Sequence, residues 1–261
     1  MEKNTQIDTN SYAIFWKEGW TAFIKNWKKL LPITIVVVLV VVALGKIQEF
    51  VGPETVPALL VWIGSFIIQV FLSIGYINIA MHAYRGEEYS WKNMLEKSQK
   101  VLPYIGTSIL VVLLMTAGFI PAIFVFVVFT SILKLGVFFT VLFTAIGFLL
   151  VILAMILVFS RLYFFQFFLI DGDLKIWDTI KATWRSTKGK QLQILILIIM
   201  AGIFNILGML FFGIGLILTV PVTVLVFVSV YSYLSGKVAH SDSIVPEVQS
   251  PELALGENKV E

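Results

Sequence analysis

The stretch WTAFIKNWKKLLPITIVVVLVVVALG, residues 20–45, joins a segment rich in tryptophan and lysine directly to a long apolar run. The same order returns in WKNMLEKSQKVLPYIGTSILVVLLM at residues 91–115 and in WRSTKGKQLQILILIIMAG at residues 184–202. In each copy the tryptophan precedes the leucine that opens the apolar run by eleven residues. One structural unit, used three times, therefore explains most of the chain.

The composition is that of an integral membrane protein. Of the 261 residues, 59% are hydrophobic and 13% charged, whereas soluble domains have about 45–50% and about 25%. Cysteine is absent, which excludes disulfides, a thiol nucleophile and cysteine-bound metal or iron–sulfur centres.

Six apolar runs are long enough to cross a bilayer, which takes about 20 residues. Because the runs are continuous and do not alternate with polar residues, they predict helices and not membrane strands. The expected spans lie near residues 31–50, 57–80, 102–129, 137–159, 192–211 and 213–234.

Short turns near residues 52–54, 131–136 and 212–215 divide these runs into pairs. The tips of the hairpins, at and near these turns, hold only Lys46 and Lys134, while the segments between the pairs are rich in lysine and arginine. Basic residues stay on the cytoplasmic side of a membrane. The pattern therefore predicts a multi-pass protein of the cell membrane with both termini in the cytoplasm.

These observations predict an all-α fold: six transmembrane helices arranged as three hairpins, each preceded by an amphipathic helix that lies in the membrane interface. The domain boundaries expected are a flexible start at residues 1–11 and a membrane domain at 12–236. Within it the repeats run near 12–86, 87–170 and 171–236. Two prolines and five acidic residues in 237–261 predict a disordered acidic tail.

The amphipathic segments supply candidate residues for contact with the membrane surface. Aromatic side chains at steps of three and four face one way in the first segment, and lysines face the other. Mechanical anchoring is the favoured role, and recognition of anionic lipid by the lysines is the sharper alternative. The candidates are Trp16, Trp20, Trp27, Lys25, Lys28, Lys29, Trp91, Trp177, Trp184 and Arg161.

Polar residues inside the spans are candidates for lining a cavity, because polar groups in hydrocarbon are costly and often functional. The candidates are Gln69, Asn78, His82 and Asn205. The alternative is that they only join helices by hydrogen bonds. The sequence has no phosphate-binding loop, serine-hydrolase elbow or zinc-protease motif. We therefore expect neither catalysis nor a cofactor or metal, and no binding of nucleic acid.

Several stretches resemble a six-helix integral membrane domain of bacteria and archaea. They are FWKEGWTAFIKNWKKLLP from Phe15, ATWRSTKGKQLQILILIIMAG from Ala182, and YSYLSG from Tyr231 to Gly236. That domain occurs alone in uncharacterised proteins and fused to glycerophosphodiester phosphodiesterases. The resemblance spans roughly residues 12–236 and implies a fold and a place near lipid biology. The phosphodiesterase domain and its catalytic residues have no counterpart in the chain, and a proline common near the end of the fourth span is replaced by Gln166 and Phe167.

Three functions remain open from the sequence. The first is a non-enzymatic module that organises lipid or protein partners at the membrane. The second is a small-solute or lipid transporter or channel, which internal repeats favour. The third, an intramembrane lipid enzyme, ranks last because no nucleophile, buried acid or histidine pair is found.

Overall fold

The structure, a computed structural model, describes residues 9–51, 56–117, 120, 124, 127–128, 137–172, 174–210 and 213–236. Several predicted features lie outside these residues. They are most of the flexible start, the turns at 52–54 and 131–136, the end of the third span and the tail 237–261. The first helix already includes residues 9–11 of the predicted start.

The regular elements in the described ranges are all helical, as predicted. They are α1 (Thr9–Val51), α2 (Val56–Arg85), α3 (Asn93–Glu96), α4 (Val101–Ala117), α5 (Val137–Leu162), α6 (Phe165–Asp171), α7 (Ile176–Ser186), α8 (Gln191–Leu210) and α9 (Leu216–Ser235), with a 3-10 turn at Ser98–Lys100. Six segments are long and apolar enough to cross a membrane: Tyr12–Val51, Pro57–Arg85, Ser98–Ala117, Val141–Asp171, Gln191–Leu210 and Leu216–Ser235. Their number and composition are those of a multi-pass membrane protein.

The first unit differs from the expected pair of a separate interfacial helix and a span. Its amphipathic segment and its apolar run form one helix of 43 residues, α1, which at 1.5 Å per residue is about twice the ~30 Å of a hydrocarbon core. The only proline between the amphipathic part and the apolar part of α1 is Pro32, and the helix continues through it. Two neighbouring residues near the end of α2 bond α1: the Tyr84 hydroxyl donates to Glu18, and the Ala83 backbone oxygen accepts from the Asn26 amide. The amphipathic part of α1 is therefore held against the end of α2.

The second and third units depart from the first in opposite ways. In the second, the predicted amphipathic helix is reduced to the single turn of α3 and the 3-10 turn that follows it. In the third, α7 is a separate amphipathic helix of 11 residues that buries Thr179, Ile180 and Thr183. The three copies thus share a sequence pattern but not one local structure.

Helix α9 lies at the centre of the bundle. Every side chain from Leu225 to Ser232 is at most 5% exposed, which requires neighbours on all sides of the helix. Its most extensive partner is α1, and α2 and α8 also pack against it. At the crossing with α1, Gly19 lies directly against the backbone of Val226, and small residues allow this close approach between membrane helices.

The fourth span bends although it has no proline at that point. The helix α5 ends at Leu162, and α6 begins at Phe165 after a turn at Tyr163 and Phe164. The turn and α6 carry the most deeply buried aromatic residues among those whose burial the structure describes, since Phe164 and Phe167 are at most 1% exposed. Beyond this turn, Asp171 at the end of α6 reaches Arg85 of α2 and Tyr231 of α9.

Candidate functional site

The ends of α2, α6 and α9 meet at one end of the bundle, which we call the basic end. Arg85 of α2 donates a hydrogen bond of 2.6 Å to Oδ1 of Asp171. The hydroxyl of Tyr231 in α9 donates to Oδ2 of the same carboxylate at 2.7 Å. The side chain of Asp171 is 8% exposed and that of Arg85 is 27% exposed. One buried carboxylate therefore joins three helices.

A second carboxylate joins α1 to the same helices. The hydroxyl of Tyr84 donates to Oε2 of Glu18 at 2.7 Å, and the hydroxyl of Ser229 in α9 donates a short hydrogen bond to the same oxygen. These bonds lie beside the contact of Gly19 with Val226. Carboxylates accept stronger hydrogen bonds than neutral groups do, so Glu18 fixes the position of α1 on the bundle.

Asn78 holds the segment after α2 against the bundle. Its Nδ2 donates to the backbone oxygen of Asn93 at 2.9 Å and to Oε2 of Glu96 at 3.3 Å. A hydrogen bond from the Asn93 amide to Glu96 lowers the pKa of that carboxyl below its usual range. The Nδ1 atom of His82 lies 2.9 Å from the Asn78 backbone oxygen, and its Nε2 lies 3.5 Å from Glu87.

A pocket on the surface of the basic end, which we call the lysine pocket, has a volume of about 280 Å³. It is lined by Lys28, Lys29, Pro32, Ile33, Tyr89, Ser90 and Trp91. The ammonium group of Lys29 lies 5.5 Å from the centroid of the Tyr89 ring, and both lysines are exposed. Burial raises the pKa of Tyr89 to about 12, so at neutral pH its hydroxyl remains a donor, placed 3.2 Å from Oδ1 of Asn26.

The predicted surface residues divide into two groups. Trp20, Trp27, Trp91, Trp177 and Trp184 are each 40–53% exposed, which leaves their rings free to meet lipid at a membrane interface. Lys25, Lys28 and Lys29 are exposed as well, whereas Trp16 and Arg161 are half-buried and pack against other side chains of the protein. Trp16 meets Phe204 edge to face at 5.2 Å, and the guanidinium of Arg161 lies 4.3 Å from the centroid of the Trp184 ring.

A second pocket, which we call the inner cavity, lies between helices in the apolar part of the bundle, opens to the surface and has a volume of about 240 Å³. Helix α9 contributes Val220, Thr223, Val224 and Phe227, and the other lining residues are Ser73, Tyr76, Ile77, Tyr163, Gln166, Phe167 and Asn205. The hydroxyl of Tyr76 bonds that of Thr34 at 2.8 Å. The Asn205 amide donates to the Thr223 hydroxyl at 3.2 Å.

The structure does not bring the four predicted cavity residues together. Asn205 lines the inner cavity. Asn78 and His82 belong to the hydrogen-bonded group at the end of α2. Gln69 is half-buried and is not among the residues that line either pocket.

Sequence reasoning missed three of the polar residues that organise the basic end. Neither Glu18 nor Lys100 was among the predicted site residues. Glu18 nevertheless bonds two helices, and Lys100 is 8% exposed, with its ammonium donating to the Gly172 oxygen at 3.1 Å. Asp171 was not among the predicted site residues either. The available signal for Glu18 and Asp171 was an acid beside several aromatic residues in a strongly apolar chain, and that signal names no partner.

Comparison of the chain with protein-family models, with curated proteins and with solved structures found no match.

Proposed function

We propose that this chain is a non-enzymatic multi-pass membrane module that holds anionic lipid at the cytoplasmic leaflet through the lysine pocket. The proposal includes the finer topology expected from the sequence: three helical hairpins whose basic connecting segments, and both termini, face the cytoplasm. It also includes the resemblance to the six-helix membrane domain and the place near lipid biology that this resemblance implies.

The chemistry of the lysine pocket carries the proposal. Lys28 and Lys29 offer two positive charges, and the exposed Ser90 hydroxyl lies in the same lining. A phosphate with its negative charge is the group that this combination of donors fits best. Pro32 and Ile33 form the apolar part of the lining, which suits the start of an acyl chain.

The surroundings of the pocket support a position at the membrane surface. Trp27 and Trp91 are 47% exposed, and tryptophan is enriched where a membrane meets water. The pocket also lies where the amphipathic part of α1 passes into its apolar part. A lipid bound there would have its phosphate at the lysines and its chains beside the span.

A transporter is the second candidate, and the inner cavity is the observation that favours it. Two features of the described residues favour the module instead. The side chains from Leu225 to Ser232 fill the centre of the bundle. The lining of the inner cavity does not include the polar residues of the basic end, such as Glu18 and Asn78, so the two are not joined in one polar path.

We expect the double variant K28Q/K29Q to bind phosphatidylglycerol roughly 30-fold more weakly than the original chain. Each basic residue near an anionic surface contributes about 1 kcal/mol, and 1.4 kcal/mol corresponds to a factor of ten in affinity. Native mass spectrometry of the full chain in detergent, titrated with phosphatidylglycerol and separately with phosphatidylcholine, measures both affinities.

The matched control is K17Q/K25Q, which removes the same charge from two exposed lysines of α1 outside the pocket. Its loss should be several-fold smaller. Equal losses in the two double variants would mean that general surface charge attracts the lipid and that the pocket is not a site. An original chain with no preference for phosphatidylglycerol over phosphatidylcholine would refute the proposal as a whole.

A further inference from the structure

We propose that the inner cavity binds the head of an uncharged amphiphile that carries carbonyl oxygens, with the tail of the molecule lying outside in the bilayer. This site is separate from the lysine pocket: the two share no lining residue. The inference rests on the charge, the hydrogen-bonding capacity and the size of the cavity.

The charge of the lining excludes an ionic head group. None of the residues that line the inner cavity is an acid, a lysine, an arginine or a histidine. The carboxylates of Glu18 in α1 and Asp171 in α6 lie outside the lining and already accept hydrogen bonds from Tyr84, Ser229, Arg85 and Tyr231. A charged group inside hydrocarbon needs a partner of opposite charge or a strong polar environment, so the ligand is uncharged.

Two polar groups of the lining, the Tyr163 hydroxyl and the Gln166 amide, have donor hydrogens for which no acceptor is found among the described residues. Among the described residues, no hydrogen bond of the Tyr163 hydroxyl is found. The oxygen of Gln166 accepts from Tyr104 at 3.3 Å, while no acceptor for its amide hydrogens is found in the described part of the chain. Leaving such donors unsatisfied in a membrane interior is costly. A ligand that satisfies them must bring acceptors, and a carbonyl oxygen is an acceptor without charge.

The size and the opening of the cavity fit a head group and not a whole lipid. Its volume of about 240 Å³ is below the roughly 300–1,000 Å³ of pockets that enclose a drug-sized ligand. Ser73 is exposed, and Asn205 and Val220 are half-buried, so the cavity opens sideways between α2 and α8. The rings of Tyr163 and Phe227, 4.9 Å apart between centroids, give a flat group an aromatic wall.

Two sources of the same chemistry exist in membranes: the ester carbonyls of a neutral glycerolipid and the ring carbonyls of a quinone. Thermal unfolding of the full chain in detergent, titrated with dioctanoylglycerol or with decylubiquinone, distinguishes them. We expect one of the two to raise the melting temperature saturably, while dodecane, which has no acceptor, does not. No shift with either carbonyl compound, or an equal shift with dodecane, would overturn the proposal.

The variant Y163F removes a hydroxyl for which the described residues provide no partner, so the melting temperature without ligand should not change. We expect the dissociation constant of the active compound to rise roughly three- to tenfold, the usual effect of one hydrogen bond. Y233F removes a hydroxyl from α9 outside the cavity and should change neither quantity. S73L, which places a larger side chain at the opening, should abolish the shift. Unchanged affinity in Y163F, or a lower melting temperature without ligand, would overturn the proposal.

Discussion

Replacing Asp171 by asparagine should destabilise the protein by about 3 kcal/mol, the lower end of the cost of breaking a buried ion pair. The lower end applies because the side chain of Arg85 is 27% exposed and partly solvated. At 2–4 °C per kcal/mol for a chain of this size class, the melting temperature should fall by roughly 6–12 °C. Thermal unfolding in detergent, followed by circular dichroism, measures the change.

The matched control for this prediction is Glu49→Gln. Glu49 pairs with Lys46 at 2.7 Å, nearly the distance of the buried pair, but these two side chains are 71% and 73% exposed. Exposed pairs contribute about 0–1 kcal/mol, so the melting temperature should hardly move. A loss in the Glu49 variant as large as in the Asp171 variant would show that the contact of α2, α6 and α9 does not depend on the buried carboxylate.

Replacing Gly19 by alanine should cost about 1–3 kcal/mol, the usual range for overpacking a filled interior. A Cβ atom at this position would lie 2.7 Å from the backbone nitrogen of Val226 and 2.9 Å from its Cα. Because these are backbone atoms of the central helix, α1 must move away from α9 as a unit. The variant V226A shortens the facing side chain but leaves those atoms in place, so the double variant G19A/V226A should not recover the lost stability.

Gly64→Ala and Gly202→Ala are the controls for the helix itself. A Cβ atom at either position meets nothing within 4 Å, and both glycines lie inside helices. Alanine is favoured over glycine in a helix interior, so these variants should be neutral or slightly stabilised in the same unfolding measurement. Equal stability of the Gly19 and Gly64 variants would mean that the contact of α1 with α9 is looser than described.

Hydropathy made the helical class and the six long apolar segments predictable, because the preference of a 20-residue run for a membrane depends only on that run. The turn between α8 and α9 was also predictable from its glycines. Gly213 has a φ of 75°, which glycine adopts without strain. That α1 is one continuous helix was not predictable. The sequence pattern of an amphipathic segment followed by an apolar one is the same whether the two form one helix or two helices at an angle.

Burial of the polar residues could not be read from the sequence for a different reason. Glu18 is half-buried because Tyr84 and Ser229, 66 and 211 residues further along the chain, meet it. The periodicity of one segment tells which face of its helix a residue lies on, but it does not tell which other helix packs against that face. The lining of the inner cavity likewise comes from parts of the chain that are distant in sequence: α2, the turn before α6, α6, α8 and α9. Of its polar residues, the sequence singled out Asn205 alone as a cavity candidate.

The central claim is that the basic segments lie on one side of the membrane and the turns of the hairpins on the other. The absence of cysteine allows single cysteines to be placed at Glu49, Ser90, Lys188 and Ile214, four exposed positions, and treated in intact cells with a membrane-impermeant maleimide. The claim predicts labelling at Glu49 and Ile214, and labelling at Ser90 and Lys188 only after the cells are permeabilised. Labelling of Ser90 and Lys188 from opposite sides would contradict it.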